Sequence, residues 1–135
     1  MSLLSAIQVC GSALLAERRR AEITASNLAN ADTPAAHGRT YARQIAILSA
    51  SPAYSTEAGV VSGVQVSEVL KDGSTVRQYQ PWHPDADRDG YVEYADVDQA
   101  AEMADLMRAD RSFEMNAAAI QSIKSMISEA LEITK

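Results

Sequence analysis

From Asp96 to Lys135 the chain runs without a proline or a glycine. Nothing in this stretch breaks a helix. Read in alternating steps of three and four, one face carries Leu106, Ala109, Phe113, Asn116, Ile120, Ile123, Ile127 and Ala130. All but Asn116 are apolar or small, and the spacing is that of a heptad seam. A helix of about 35 residues is roughly 50 Å long at 1.5 Å per residue. A chain of 135 residues is too small to cover such a rod by itself. The seam needs another helix, from this chain or from a neighbour.

Ser2 to Asn30 reads as one. Leu4, Ile7, Gly11, Leu14, Arg18, Ala21, Ala25 and Leu28 repeat the same spacing, with Arg18 the one charge among them. Gly11 costs about 1 kcal/mol against alanine in a helix interior, but its missing side chain lets another backbone come close. The two helices are expected to pair as a hairpin. Leu3, Val9, Leu15 and Ile23 lie off the seam, so one partner helix does not bury everything and further subunits are expected on the outside. The helix should stop at Asn30-Ala31-Asp32-Thr33-Pro34, because Asn tolerates the left-handed conformation and Pro34 drives Thr33 out of the helical region.

Between these helices the composition changes. Five of the six glycines and, beyond the helix stop at Pro34, the other three prolines fall here, so strands and turns replace helix. Alternation predicts a strand over Thr40 to Ser49, a polar loop from Ser51 to Gly59 that includes Pro52, and a second strand from Val64 towards Leu70. Lys71-Asp72-Gly73-Ser74 holds the Asp-Gly pair favoured in tight hairpins, so Thr75 to Tyr79 should return as a third strand. Tyr91 to Tyr94 reads as a fourth. Asp96 should open the last helix, with Gln99 as its capping-box partner. The expected fold is mainly α with a small β insert. Long terminal helices form a coiled-coil-like hairpin, 1–33 and 97–135, around a β-rich outer insert, 34–96.

The net charge is −6, which argues against nucleic acid as a partner. Aromatic residues make up only 5% of the chain, which suits closely packed helices better than a compact globular core. The lone Cys10 excludes an internal disulfide and any multi-cysteine metal site. The uncharged stretch from Met1 to Ala16 is too short and too rich in serine to span a membrane. It also lacks the basic leading segment of a secretory signal, since Arg18-Arg19-Arg20 follows it. His37 and His83 stand in separate loops without further zinc ligands nearby. No phosphate loop, nucleophile elbow or paired carboxylates in an apolar setting is present, so no enzyme and no cofactor are expected. The run Arg18 to Arg20 reads as a solvated or intersubunit helix face.

One segment imitates a metal site. Asp85, Asp87 and Asp89 occupy positions one, three and five of a calcium-loop pattern, Gly90 position six, Glu93 position nine and Asp96 position twelve. A hard cation wants such a ring of oxygens. Against it, Asp96 is one methylene shorter than the usual bidentate glutamate, and Pro81-Trp82-His83-Pro84 cannot form the entering helix. A soluble calcium-binding module is therefore the alternative reading, and an acidic turn before a strand the plainer one.

Two segments at opposite ends of the chain carry a resemblance. Ala25-Ser26-Asn27-Leu28-Ala29-Asn30-Ala31-Asp32-Thr33-Pro34 resembles the N-terminal signature of bacterial flagellar basal-body rod and hook proteins. Arg111-Ser112-Phe113-Glu114-Met115-Asn116, continuing through Ile120, Lys124, Met126 and Leu131, is similar to their C-terminal signature. Met1 to Leu4, Gly11 to Leu14, Pro84 to Asp87 and Gly90 to Val92 resemble the short, proximal members of that family.

The resemblance implies a structural subunit with no catalysis and no metal, in which Asp87, Gly90, Tyr91 and Val92 build a shared turn. It implies export through the flagellar type III apparatus without a cleaved signal, and assembly in the periplasm into a helical rod that serves as a drive shaft. The partners implied are other copies of the chain, other rod subunits and the membrane-ring and export-gate junction proteins beneath them. Leu4, Ile7, Leu14, Asn27, Leu28, Asn30, Phe113, Asn116, Ile120, Ile123, Ile127 and Leu131 are then the expected assembly interface.

Overall fold

The computed structural model describes residues 3–35, 39–51, 54–56 and 59–133; His37 and Pro52 lie outside them. Helix α1 spans Leu3–Asn30 and helix α2 spans Gln99–Ile133. Between them the described residues form six strands: β1 Arg43–Ala50, β2 Tyr54–Thr56, β3 Gly59–Val61, β4 Val64–Asp72, β5 Thr75–Tyr79 and β6 Tyr91–Ala95. The chain is thus mainly helical with a small β insert, as the sequence predicts. Among the described residues no helix is long and apolar enough to cross a membrane.

The helices pack antiparallel. Asn27, near the end of α1, meets Glu102, near the start of α2, at 3.1 Å, and Arg20 faces Asp105 further along. α2 has 35 residues and α1 has 28. The excess, roughly 10 Å at 1.5 Å per residue, therefore falls at the C-terminal end of α2. Among the described residues no helix lies beside that end, and Ile133 is 85% exposed.

The strands form three two-stranded antiparallel ribbons, β1 with β4, β2 with β3, and β5 with β6. The sequence reading errs in two places here. The stretch read as a polar loop, Ser51 to Gly59, holds β2 and the first residue of β3, which pair as a ribbon that prolongs the β1–β4 ribbon. The two ribbons are joined where Ser51 N–H donates to the Gly63 carbonyl. The other error concerns Asp72-Gly73. Strands β4 and β5 lie on either side of it as expected, yet they do not pair with each other. A tight type I′ hairpin needs positive φ at both central residues, and Gly73 does not adopt it. Instead the Asp72 carboxylate accepts the Ser74 N–H at 3.0 Å and the Ser74 hydroxyl at 2.6 Å. This local turn swings the chain from one ribbon into the next. The Ser74 hydroxyl foremost, with the Ser74 N–H, holds the Asp72 carboxyl below the usual carboxylate range.

The β1–β4 ribbon runs along α1. At one end the Asn27 side chain holds Gln44. At the other, the Ser12 hydroxyl donates to Val9 O at 2.7 Å and accepts Val64 N–H at 3.0 Å. The crossing there is close: a Cβ added to Gly63 would sit 2.2 Å from Ser12 Oγ, so glycine is required for the ribbon to lie against the helix. The β5–β6 ribbon meets the segment that follows α1, through a bridge from Pro34 to Tyr94 and the Ala35 N–H donated to Glu93 O at 2.8 Å.

Helix α2 begins later than expected. Asp96 still belongs to the ribbon, its N–H donating to Ser74 O at 2.9 Å. Asp98 is the N-cap, its Oδ1 accepting from Ala100 N at 2.9 Å and Ala101 N at 3.2 Å. Gln99 does not cap the helix. Its side chain reaches across to Asp32 at 3.0 Å, tying the end of α1 to the start of α2.

Buried apolar residues are few: among those described, Ala16, Ile23, Ala31, Val92, Tyr94, Ala95, Ala109 and Ile123. Three of the eight lie on β6, so the helix pair owns only a thin strip of core and leaves most of its apolar surface uncovered. On α2 that strip follows the expected seam through Ala109 and Ile123. On α1 it does not. Its buried residues are Ser5, Ala16, Ile23, Thr24 and Asn27, on the side of the helix nearly opposite the Leu4–Leu28 line. α1 is held between α2 on one flank and the β1–β4 ribbon on the other, and the line covered by both lies between the two contacts.

Candidate assembly site on the helical hairpin

The hairpin is locked by a polar hub centred on Asn27, which is 1% exposed. Its Nδ2 donates to the Gln44 carbonyl at 2.7 Å and to Glu102 Oε2 at 3.1 Å. Its Oδ1 accepts Gln44 N–H at 2.9 Å and the Tyr41 hydroxyl at 3.0 Å. The amide thus binds both backbone groups of one β1 residue, as a neighbouring strand would. Arg43 Nε donates to Glu102 Oε1 at 2.7 Å, so the buried Glu102 charge is both paired and hydrogen-bonded. One hub therefore joins α1, β1 and α2.

A second line of charge crosses between the helices. Arg20 lies 3.5 Å from Glu17 Oε2 and 3.7 Å from Asp105, which also pairs with Arg108 at 3.0 Å. Glu17 Oε2 is buried with this ion pair for company but no hydrogen bond. Arg18 and Arg19 point elsewhere and share Glu22, at 3.1 Å and 3.2 Å. Arg19 first, then Arg18, lowers the Glu22 pKa. The basic run thus divides: Arg20 faces α2, and its two neighbours face solvent.

The residues expected at an assembly interface fall into three groups. Asn27 and Ile123 are buried inside the chain. Ile7, Leu14, Leu28, Asn30, Asn116, Ile120 and Ile127 are half-buried. Asn30 and Asn116 each turn back to their own helix, donating to the Ser26 and Ser112 carbonyls at 2.8 Å. Leu4, Phe113 and Leu131 are exposed. They are joined on the outside by residues that the seam did not name, including Leu15, Met107, Met115 and Ile133. The helical stem thus presents an apolar surface along its length. The sequence reading missed Glu102, Arg43 and Tyr41. Glu102 could have been found, since it stands on the α2 seam four residues before Leu106, and a carboxylate on an apolar stripe calls for a partner.

The acidic segment does not assemble as a cation site. Asp87 Oδ1 accepts the N–H groups of Asp89 and Tyr91, both at 2.9 Å, and its other oxygen pairs with Arg77. The Tyr91 N–H foremost, with Arg77 and the Asp89 N–H, holds the Asp87 carboxyl below the usual range. Gly90, at φ 82°, lets the turn close. Glu93 then lies within β6 opposite Arg77, and Asp96 lies beyond the strand. At about 3.3 Å per residue, β6 carries both away from Asp85, Asp87 and Asp89, where a helix would have kept them near. Among the described residues no group of three or more His, Cys, Asp or Glu side chains is placed to hold a metal.

The comparisons agree with this architecture. Residues 7–36 match the family described as flagella basal body rod protein. Residues 88–133 match the one described as flagellar basal body rod FlgEFG protein C-terminal. These segments take in most of α1 with its stop and the whole of α2 with the turn and strand before it. Along its full length the chain is similar to the flagellar basal-body rod protein FlgC of Bacillus subtilis (strain 168), 37% identical over 152 residues that cover 100% of both. It is 36% identical to that of Salmonella typhimurium over 137 residues and 35% to that of Borreliella burgdorferi over 150, each covering 98% of both. The chain belongs to the FlgC family of flagellar basal-body rod proteins.

Proposed function

We propose that the chain is a structural, non-enzymatic subunit of the proximal flagellar rod, in which the 1–33 and 97–135 segments form the axial core and 34–96 the outer insert. The observation that carries this is the uncovered apolar surface along the two terminal helices. Met107, Met115 and Ile133 on α2 and Leu4 and Leu15 on α1 are all exposed in the single chain, and surfaces of this kind are interaction sites. Other copies of the chain and other rod subunits are the partners, with the membrane-ring and export-gate junction proteins at the base. The site of assembly is the periplasm, reached through the flagellar export apparatus. A contact between unlike surfaces that does not close on itself builds a helix of subunits, and torque then passes through many apolar contacts in parallel.

Deletion of the gene in its host tests this reading. Loss of swimming, with basal bodies that keep their membrane rings but lack rod and hook, is the expected result. Intact flagella would overturn it.

A further inference from the structure

Helix α1 is turned against its own pattern. Its apolar line, which includes Leu4, Ile7, Leu14 and Leu28, lies nearly opposite its buried residues, and Leu4 is 70% exposed. Three of the five residues buried on α1 are polar: Ser5, Thr24 and Asn27. Hydrophobic burial by itself favours the reverse, with the leucines inside and these three outside. Something other than apolar area therefore sets the rotation of this helix about its axis.

Two side chains supply it. Asn27 takes both backbone groups of Gln44, at 2.7 Å and 2.9 Å, and the Ser12 hydroxyl accepts the Val64 N–H at 3.0 Å. Gln44 stands on β1 and Val64 on β4. In an antiparallel pair, alternate residues turn their backbone groups away from the partner strand, and these are the groups that the two side chains take. The outer edges of both strands are thus tied to α1. The attachment points match in spacing. Asn27 and Ser12 are roughly 22 Å apart along the helix at 1.5 Å per residue. Gln44 and Ala50, which pairs with Val64, are about 20 Å apart along the strand at 3.3 Å per residue. One tie holds a point. Two, this far apart and on one side of the helix, hold its rotation along its length.

We propose that Ser12 and Asn27 act together as a rotational key, which holds α1 in the free chain with its polar line inward and its apolar line outward. This rests on the rod reading above only for the use of the outward line, which is contact with neighbouring subunits. The key keeps a lone subunit from folding that line into its own core, where it would be lost to assembly. Satisfied polar groups suit the task. Hydrogen bonds have a set length and direction, apolar contacts have neither, and turning a buried polar group away from its partners is costly.

The test is thiol labelling of the purified full-length chain, with Cys10→Ser as background. Single cysteines are placed at adjacent positions, as Thr24→Cys or Ala25→Cys. Thr24 is buried and Ala25 exposed, so a maleimide should react at position 25 at least an order of magnitude faster than at 24. Adjacent positions share any fraying of the helix, so their ratio reports rotation and not stability. Ser12→Ala with Asn27→Ala should bring the ratio to one or below, with helical circular dichroism retained. An unchanged ratio in that variant would overturn the proposal. Where the double variant loses its helical signal, Ser12→Ala alone carries the test. The ratio should then still fall several-fold, and no fall overturns the proposal. The labelling is done on the chain outside any rod. Its failure therefore leaves the rod reading standing, whereas intact flagella after gene deletion would remove that reading and leave the key in place.

Discussion

Asn27 has its hydrogen-bonding capacity taken up inside the chain, by two backbone groups, a tyrosine hydroxyl and a carboxylate. Its role is to hold the hairpin in the shape that assembles, which differs from being assembly surface itself. Asn27→Asp keeps the volume but removes both donors and sets a second carboxylate against Glu102. The expected cost is about 3–5 kcal/mol, the range for an uncompensated buried charge, read as a fall in the thermal unfolding midpoint of the purified chain. Asp87 gives a pH dependence of known sign. Its folded pKa is depressed, with the Tyr91 N–H the largest cause. The carboxylate therefore stabilises the turn above its unfolded pKa of about 3.9. That stability is lost as pH falls below this value and through the lower folded pKa. Asp87→Asn keeps an acceptor for the turn but should flatten this acid dependence, which thermal unfolding from about two units below the unfolded pKa to about one above it would record. At this scale the sequence was an uneven guide. Asp85, Asp87 and Asp89 match a calcium pattern by spacing alone, and only the direction taken by β6 shows that their partners leave.

The elements were largely legible. Both long helices follow from uninterrupted periodicity, and all five residues of β5 and four of the five of β6, Tyr91 to Tyr94, stand where strands were expected. Boundaries and pairings were less so. Asp96 and Asp98 are equally good N-caps by composition, and the ribbon decides between them by claiming the Asp96 N–H for Ser74. Asp98→Ala should therefore cost about 1 kcal/mol, the usual worth of an N-cap, while Asp96→Ala should cost less; urea unfolding of the two variants compares them. Asp72-Gly73 has the composition of a hairpin turn. The conformation of Gly73 was set by what the flanking strands found to pair with: β1 for β4, and β6 for β5. Two-stranded ribbons are marginal alone in water, so each leans on something else: β1–β4 on α1, and β5–β6 on the segment that follows α1, through Pro34 and Ala35.

On the scale of the molecule, the hairpin has an inside and an outside that a single seam does not separate. Ile123 is buried between the helices, whereas Ile133 is 85% exposed on the overhanging end of α2. Ile123→Asp places a charge in the thin core and should lower both monomer stability and incorporation into the rod. Ile133→Asp should leave monomer stability within about 0.5 kcal/mol, as for other surface changes, yet reduce incorporation and swimming. Normal swimming in both variants would show that the α2 face plays no part in assembly. Sequence alone determined that this chain has two long terminal helices, a β-rich middle and more apolar helix surface than its own mass can cover. Periodicity and proline placement are local properties, and they act before any contact forms. Only the tertiary structure decided which stripe of α1 is buried, which strands pair and which carboxylates meet. Those outcomes depend on two elements competing for the same helix, and no single stretch of sequence contains that competition.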